Sequence, residues 1–192
     1  MTMRMQNLWA PWRMQYLENL NEEAKSIDSD VAASKTANVP NGSFLAHYWQ
    51  HQDQDEAHYV VHRNEQGMIL LNLYPYANGH LMVALGDPRP RVLDYDPAQR
   101  AALWSLVDLA SGLAEVAFNP QGLNIGINQG KAAGAGVPQH LHVHIVPRWG
   151  GDTNFITVVG QVRVVPDSLD RVYARYREVL PAVLRLCANH SD

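Results

Sequence analysis

The chain has 192 residues, 46% of them hydrophobic and 18% charged, enough for one globular core and short of what two would need. Fifteen Lys and Arg against nineteen Asp and Glu give a net charge of −4 with no basic block, which argues against a nucleic-acid-binding surface. The longest apolar runs, Met68–Leu71 and Leu81–Leu85, fall far short of the roughly 18 residues of a membrane span, and the single cysteine, Cys187, excludes intrachain disulfides. The N-terminal stretch lacks the apolar run of a secretory signal, so a cytoplasmic protein is expected, without a membrane partner.

Residues 1–20 combine Leu8, Trp9, Trp12, Met14, Tyr16 and Leu17 with few charges, which predicts an arm packed on the core. Residues 21–41 turn polar and aperiodic and read as a linker or surface loop. A single domain is expected over 42–186, followed by a tail at 187–192. Ala57–His62, Gly67–Leu71 and His80–Leu85 are candidate strands of an antiparallel meander, the last two joined by a turn containing Pro75, Asn78 and Gly79. Asp96-Pro97-Ala98-Gln99 is a helix start of the capping-box type. From there Leu103, Leu106, Val107, Ala110, Leu113, Ala114 and Ala117 form an apolar stripe that predicts a helix to about Phe118, stopped by Asn119-Pro120.

Leu123–Asn128 is the next candidate strand, followed by the loop Gly130–Gly136 and then the strand His140–Val146, with Pro147 as its expected end. Phe155–Val159 is a further strand candidate. Residues 166–180 carry a second helical stripe in Leu169, Val172, Tyr173, Tyr176 and Leu180, with Pro181 expected to kink or end it. Strands interleaved with two long helices, without parallel βαβ repeats, indicate an α+β fold: an antiparallel sheet of about five strands, one long helix and a C-terminal helix.

Nine histidines are present, and three of them, His140, His142 and His144, alternate strictly with Leu141, Val143 and Ile145. In a strand this puts the three imidazoles on one face, about 7 Å apart by strand rise, and the apolar residues on the other. Three readings compete: a solvated strand face, a metal site, and nucleophilic catalysis by one imidazole oriented by its neighbours. The adjacent Asn128–Gly136 loop favours the third, because glycine N–H groups can hold a phosphate and phosphorus is then the electrophile. A glycine-rich loop is weak by itself; its adjacency to the histidine strand raises the signal.

These residues resemble the histidine-triad (HIT) family of nucleotidyl hydrolases and transferases. The resemblance extends to Asn72–Val83 with its Gly79-His80 pair. Leu8–Met14, Asn124–Asn128, Gly134-Ala135-Gly136 and Pro147–Phe155 are similar to the branch containing bacterial diadenosine tetraphosphate phosphorylases. It implies that His142 attacks the α-phosphorus of a dinucleoside polyphosphate to form a nucleotidyl-histidine, which water or phosphate then releases. His144 would stand near the scissile oxygen, His140 would orient His142, and His80 would back the triad. Asn128 with Gly134 and Gly136 would contact phosphate, and Asn72 would face the ribose. A homodimer is implied, no cofactor is required, and the site leaves room for a divalent cation on the phosphate substrate. Many members of this branch hold a structural zinc with a Cys-x-x-Cys pair, a later histidine and the first triad histidine. Those positions here are Ser43, Ala46, Pro88 and His140, so that zinc is expected to be absent. His47, His51, His58 and His62 are spaced so that a substitute metal site is a minor alternative. Gln139 and Gly136 differ from residues common in relatives and leave the acceptor open. The alternatives are a nucleoside phosphoramidate or adenylyl-sulfate hydrolase and, in another class, a non-catalytic nucleotide-binding regulatory protein.

Overall fold

The structure is a computed structural model that describes residues 43–153, 155, 159 and 166–188. The expected N-terminal arm and the linker at 21–41 lie outside the described residues. Helix α1 is Phe44–Gln50, capped by Ser43, whose hydroxyl accepts from Ala46 N–H. Strands β1 (Val60–Arg63), β2 (Gly67–Leu71) and β3 (Leu81–Leu85) follow. Helix α2 is Pro97–Phe118, β4 is Gly122–Ile127, β5 is His142–Arg148, and α3 is Leu169–Ala188.

All pairings are antiparallel, in the order β1-β2-β3-β5-β4. The long helix α2 carries the chain from β3 to the far edge, where β4 forms, and β5 then returns into the gap between β3 and β4. The histidine strand therefore has a neighbour on each side. Leu141, Val143 and Ile145 enter the main core with Val83, Leu85, the α2 stripe and Val172, Tyr176 and Leu180 of α3. On the opposite face Val60, Met68, Leu70, Met82 and Ala84 make a second core under Leu45, Phe44, Tyr48 and Trp49 of α1 and its end. β2 and β3 are thus apolar on both faces, which is why their sequences run without polar alternation.

The capping box forms as expected: Asp96 Oδ1 accepts from Gln99 N–H at 2.8 Å, and Gln99 Oε1 accepts from Asp96 N–H at 3.0 Å. By length and composition α2 could cross a membrane, yet half of that apolar window is buried, the pattern of a core helix.

Several expected boundaries move. β1 begins at Val60 rather than Ala57, because residues 55–59 make a helical turn that Tyr59 closes in the left-handed region at φ 54°. β5 begins at His142 because His140 N–H donates back to Val137 O and Leu141 N–H to Arg89 O. Pro147 does not end β5. The β3 ladder stops at Leu81–Ile145, so among the described strands Pro147 has only β4 beside it and lacks no bond to β3. Helix α3 likewise runs through Pro181, which is exposed, while Leu180 and Val183 keep the apolar stripe on the core. Of the expected strand at 155–159, the described residues Phe155 and Val159 are helical, so the expectation is corrected at those two positions; β-branched composition is a weak guide because strand propensity depends on context. Helix α1 is an addition, and α3 takes in the first two residues of the expected tail.

Candidate active site

The β3–β5 register sets Met82 opposite His144 and Ala84 opposite His142, so both imidazoles stand on the face that carries the small second core. On the other side Gly126 of β4 pairs with His144 and adds no side chain there. His140 is fully buried, whereas His142 and His144 keep 5% and 7% exposure, so a ligand meets the second and third rings first. The His142 and His144 ring centroids are 4.8 Å apart and edge to face, closer than strand rise alone implies because the rings lean together.

Backbone partners fix the tautomers of His140, His142 and His80, since a carbonyl only accepts and an amide only donates, and His80 in turn fixes that of His144. His140 Nε2–H donates to Leu85 O at 2.7 Å, so its Nδ1 is an acceptor. Ser43 Oγ lies 3.0 Å from that Nδ1 and donates to it. His142 Nδ1–H donates to His140 O at 2.9 Å, which leaves the Nε2 lone pair of His142 outward. His80 Nδ1 accepts from Tyr76 N–H at 3.1 Å, so His80 Nε2–H donates to His144 Nδ1 at 3.0 Å. His144 therefore carries its proton on Nε2. The site presents a lone pair on one ring and an N–H donor on the next.

Burial pushes the pKa of His140 and of His142 below the ordinary histidine value, because a buried imidazolium loses its hydration. His144 is pushed down to about 4, chiefly by burial and secondarily by His142. With their pKa values lowered, all three are predominantly neutral at pH 7, as this donor pattern requires.

The structure brings His80, His140, His142, His144, Asn72 and Asn128 together. The Asn128 side-chain amide lies 3.4 Å from His144 Nε2, so the two groups meet at one point of the site. Asn72 Nδ2 approaches His80 Nδ1 at 3.4 Å while its Oδ1 accepts from Tyr74 N–H, so Asn72 acts here as a turn former and a support for His80. Gly134 caps the 3-10 turn Lys131–Ala133 at φ 88°, and a Cβ there would stand 4.0 Å from Asn128 Nδ2. Gly136 is in open space. His80 backs His144 rather than the middle ring.

Ser43, the Leu85 carbonyl and the Tyr76 N–H and ring were not anticipated as parts of the site. Tyr76 lies 4.6 Å from His80 and 5.5 Å from His144, ring to ring, at the mouth. Of these only Ser43 carries a readable signal, a capping hydroxyl before an apolar run. His47 and His51 rings sit 4.1 Å apart and His58 stacks on Tyr48 at 3.8 Å. Among the described residues, however, no three His, Cys, Asp or Glu side chains are arranged to hold a metal ion.

A cluster of buried imidazoles, His140, His142 and His144 backed by His80, at an inner strand of a five-stranded antiparallel sheet defines an α+β protein with a histidine-lined site. The HIT domain model matches residues 53–151, which hold all five strands, and the chain belongs to the HIT family. It is 36% identical over 166 residues to the AP-4-A phosphorylase of Mycobacterium tuberculosis, covering 86% of this chain and 80% of that protein. It is also 36% identical over 93 residues to the asymmetrical bis(5'-nucleosyl)-tetraphosphatase of Schizosaccharomyces pombe, covering 48% of this chain and 50% of that one. Among solved structures, a hypothetical histidine triad nucleotide-binding protein of Sulfolobus tokodaii superposes with a TM-score of 0.60 at 27% identity, over 72% of this chain and 94% of that one.

Proposed function

We propose that this protein cleaves dinucleoside polyphosphates at the α-phosphate through a nucleotidyl-histidine on His142. The reading is carried by one observation: the His140 carbonyl takes the Nδ1 proton of His142 and leaves its Nε2 lone pair outward. The names of the Mycobacterium and Schizosaccharomyces relatives support the substrate class.

Attack by His142 Nε2 forms a bond to the α-phosphorus and breaks its bond to the bridging oxygen, so the rest of the polyphosphate leaves as an anion. The positive charge that develops on the His142 ring is met by the His140 carbonyl at Nδ1–H. The Nε2–H of His144 faces the leaving oxygen, and the Asn128 amide faces the phosphate. An oxygen of water or phosphate then attacks the nucleotidyl phosphorus, the N–P bond breaks, and His142 is again neutral. Diadenosine tetraphosphate would give ATP first, then AMP with water or ADP with phosphate.

Product analysis with and without inorganic phosphate separates the two acceptors. His142→Asn should keep nucleotide affinity and abolish both turnover and acid-labile labelling by nucleotide. A wild-type protein that never forms the labelled intermediate sinks the catalytic reading and leaves the nucleotide-binding regulatory one. We extend the proposal to a homodimer, supported by β4, which among the described residues pairs with β5 alone and exposes Ile125 by 45%. Light scattering should return twice the chain mass, and Ile125→Lys should return one chain; a monomeric wild type refutes it.

A further inference from the structure

The zinc that the family resemblance implies would draw on positions 43, 46 and 88 and on His140. Of the first three only Ser43 has a side-chain donor atom; Ala46 offers a buried methyl group and Pro88 a saturated ring. On His140, Nε2 is taken by the Leu85 carbonyl, and the remaining nitrogen, Nδ1, is in contact with Ser43 Oγ. These residues do not fit a zinc ion.

We propose that Ser43 fills the same structural place without metal, as a positioning residue that sets His140 and, through it, the nucleophile. Both side chains are buried, Ser43 at 1% exposure and His140 at none, and they lie 97 residues apart in sequence. Every polar atom in the contact is used once. Leu85 O takes the Nε2 proton, Nδ1 takes the Ser43 hydroxyl proton, and Ser43 Oγ accepts Ala46 N–H at 3.3 Å. The same hydroxyl thus starts α1 and holds the residue whose carbonyl orients His142. A shift of His140 would move that carbonyl, and with it the nitrogen that attacks.

The kinetic arm of the test rests on the activity proposed above; the spectroscopic arm does not. Ser43→Gly separates the two duties of the hydroxyl, since glycine remains an acceptable N-cap but donates nothing to His140. Ser43→Thr keeps both. In wild-type protein, long-range proton–nitrogen NMR should show His140 as the Nε2–H tautomer, and in Ser43→Gly its Nδ1 signal should shift as the hydroxyl donor is lost while Leu85 O still holds the Nε2 proton. With diadenosine tetraphosphate, Ser43→Gly should lower kcat about fivefold to tenfold, the effect of one lost hydrogen bond, while KM stays roughly within twofold. Ser43→Thr should restore kcat. Wild-type protein dialysed against chelator should keep its activity and its His140 signals. The proposal is overturned by an Nδ1–H tautomer in wild type, by His140 signals that do not move in Ser43→Gly, by an unchanged kcat in that variant, or by one zinc per chain removed by chelation. If wild type has no turnover, the activity reading fails alone, because the tautomer measurement still decides the role of Ser43.

Discussion

Removing the imidazole of His80 tests whether the fourth histidine acts through His144. His80 is 1% exposed and its Nε2–H is the donor to His144 Nδ1 at 3.0 Å. His80→Phe puts a somewhat larger apolar ring in place of the imidazole and deletes both that donor and the acceptor of Tyr76 N–H, leaving His144 Nδ1 a buried unsatisfied acceptor at a cost of about 1–3 kcal/mol. At about 2–4 °C per kcal/mol for a chain of this size, the melting temperature should fall by roughly 5 °C. The larger effect should be on turnover. Without His80 the proton of His144 is no longer held on Nε2, so the donor that meets the leaving oxygen is lost, a change worth about 10²–10³ in kcat. His144→Phe removes the same donor directly. The two substitutions act on one group, so the double variant should be little slower than His144→Phe alone. Calorimetry and initial rates for the four proteins complete the cycle. Additive losses, or a His80→Phe variant with wild-type kcat, would refute the relay.

The depressed pKa values make stability depend on pH. Between the unfolded value of 6.5 and the folded value of about 4 for His144, the unfolded chain binds the proton and the native state does not, so stability rises with pH in that window. His144 alone should cost up to about 3 kcal/mol as pH falls from 6.5 to 4, with His140 and His142 acting in the same direction. Urea midpoints measured at several pH values should fall accordingly; a flat profile excludes neutral burial of the triad. Gly79, immediately before His80, has φ +75°, and a Cβ there would lie 2.9 Å from Tyr176 Oη and 3.0 Å from the Phe118 ring. Gly79→Ala should therefore destabilise by about 2–3 kcal/mol through strain and displaced core rings, read as a lower urea midpoint with unchanged slope.

The elements that could be read in advance are those with a local physical signature. Helix α2 has a capping box, a stop at Asn119-Pro120 and an unbroken stripe between them, and its predicted and observed bounds agree. The alternation through β5 requires only the two-residue period of a strand. Helix α1 escaped because Phe44–Gln50 makes barely two turns, too few to show a helical period, and is held by packing over the second core rather than by propensity. The continuation of α3 past Pro181 has the same cause, since Val183 stays buried on the main core and outweighs the missing hydrogen bond.

The site divides along the same line. Three histidines in one strand can be counted from the sequence, but they become three different chemical objects only through groups that every residue type carries. The Leu85 carbonyl makes His140 an acceptor at Nδ1, the His140 carbonyl makes His142 a lone pair at Nε2, and the Tyr76 amide, acting through His80, makes His144 a donor. Each of those groups is brought in by a turn or by strand register, and none depends on the identity of the side chain that bears it. A family motif can therefore specify which imidazoles meet the substrate. Which nitrogen offers a lone pair and which a proton is decided by backbone placement, so substitutions at Leu85 or Tyr76 that keep the backbone should leave that division intact, whereas a change at Ser43 should shift His140 and a change at His80 should release the proton of His144.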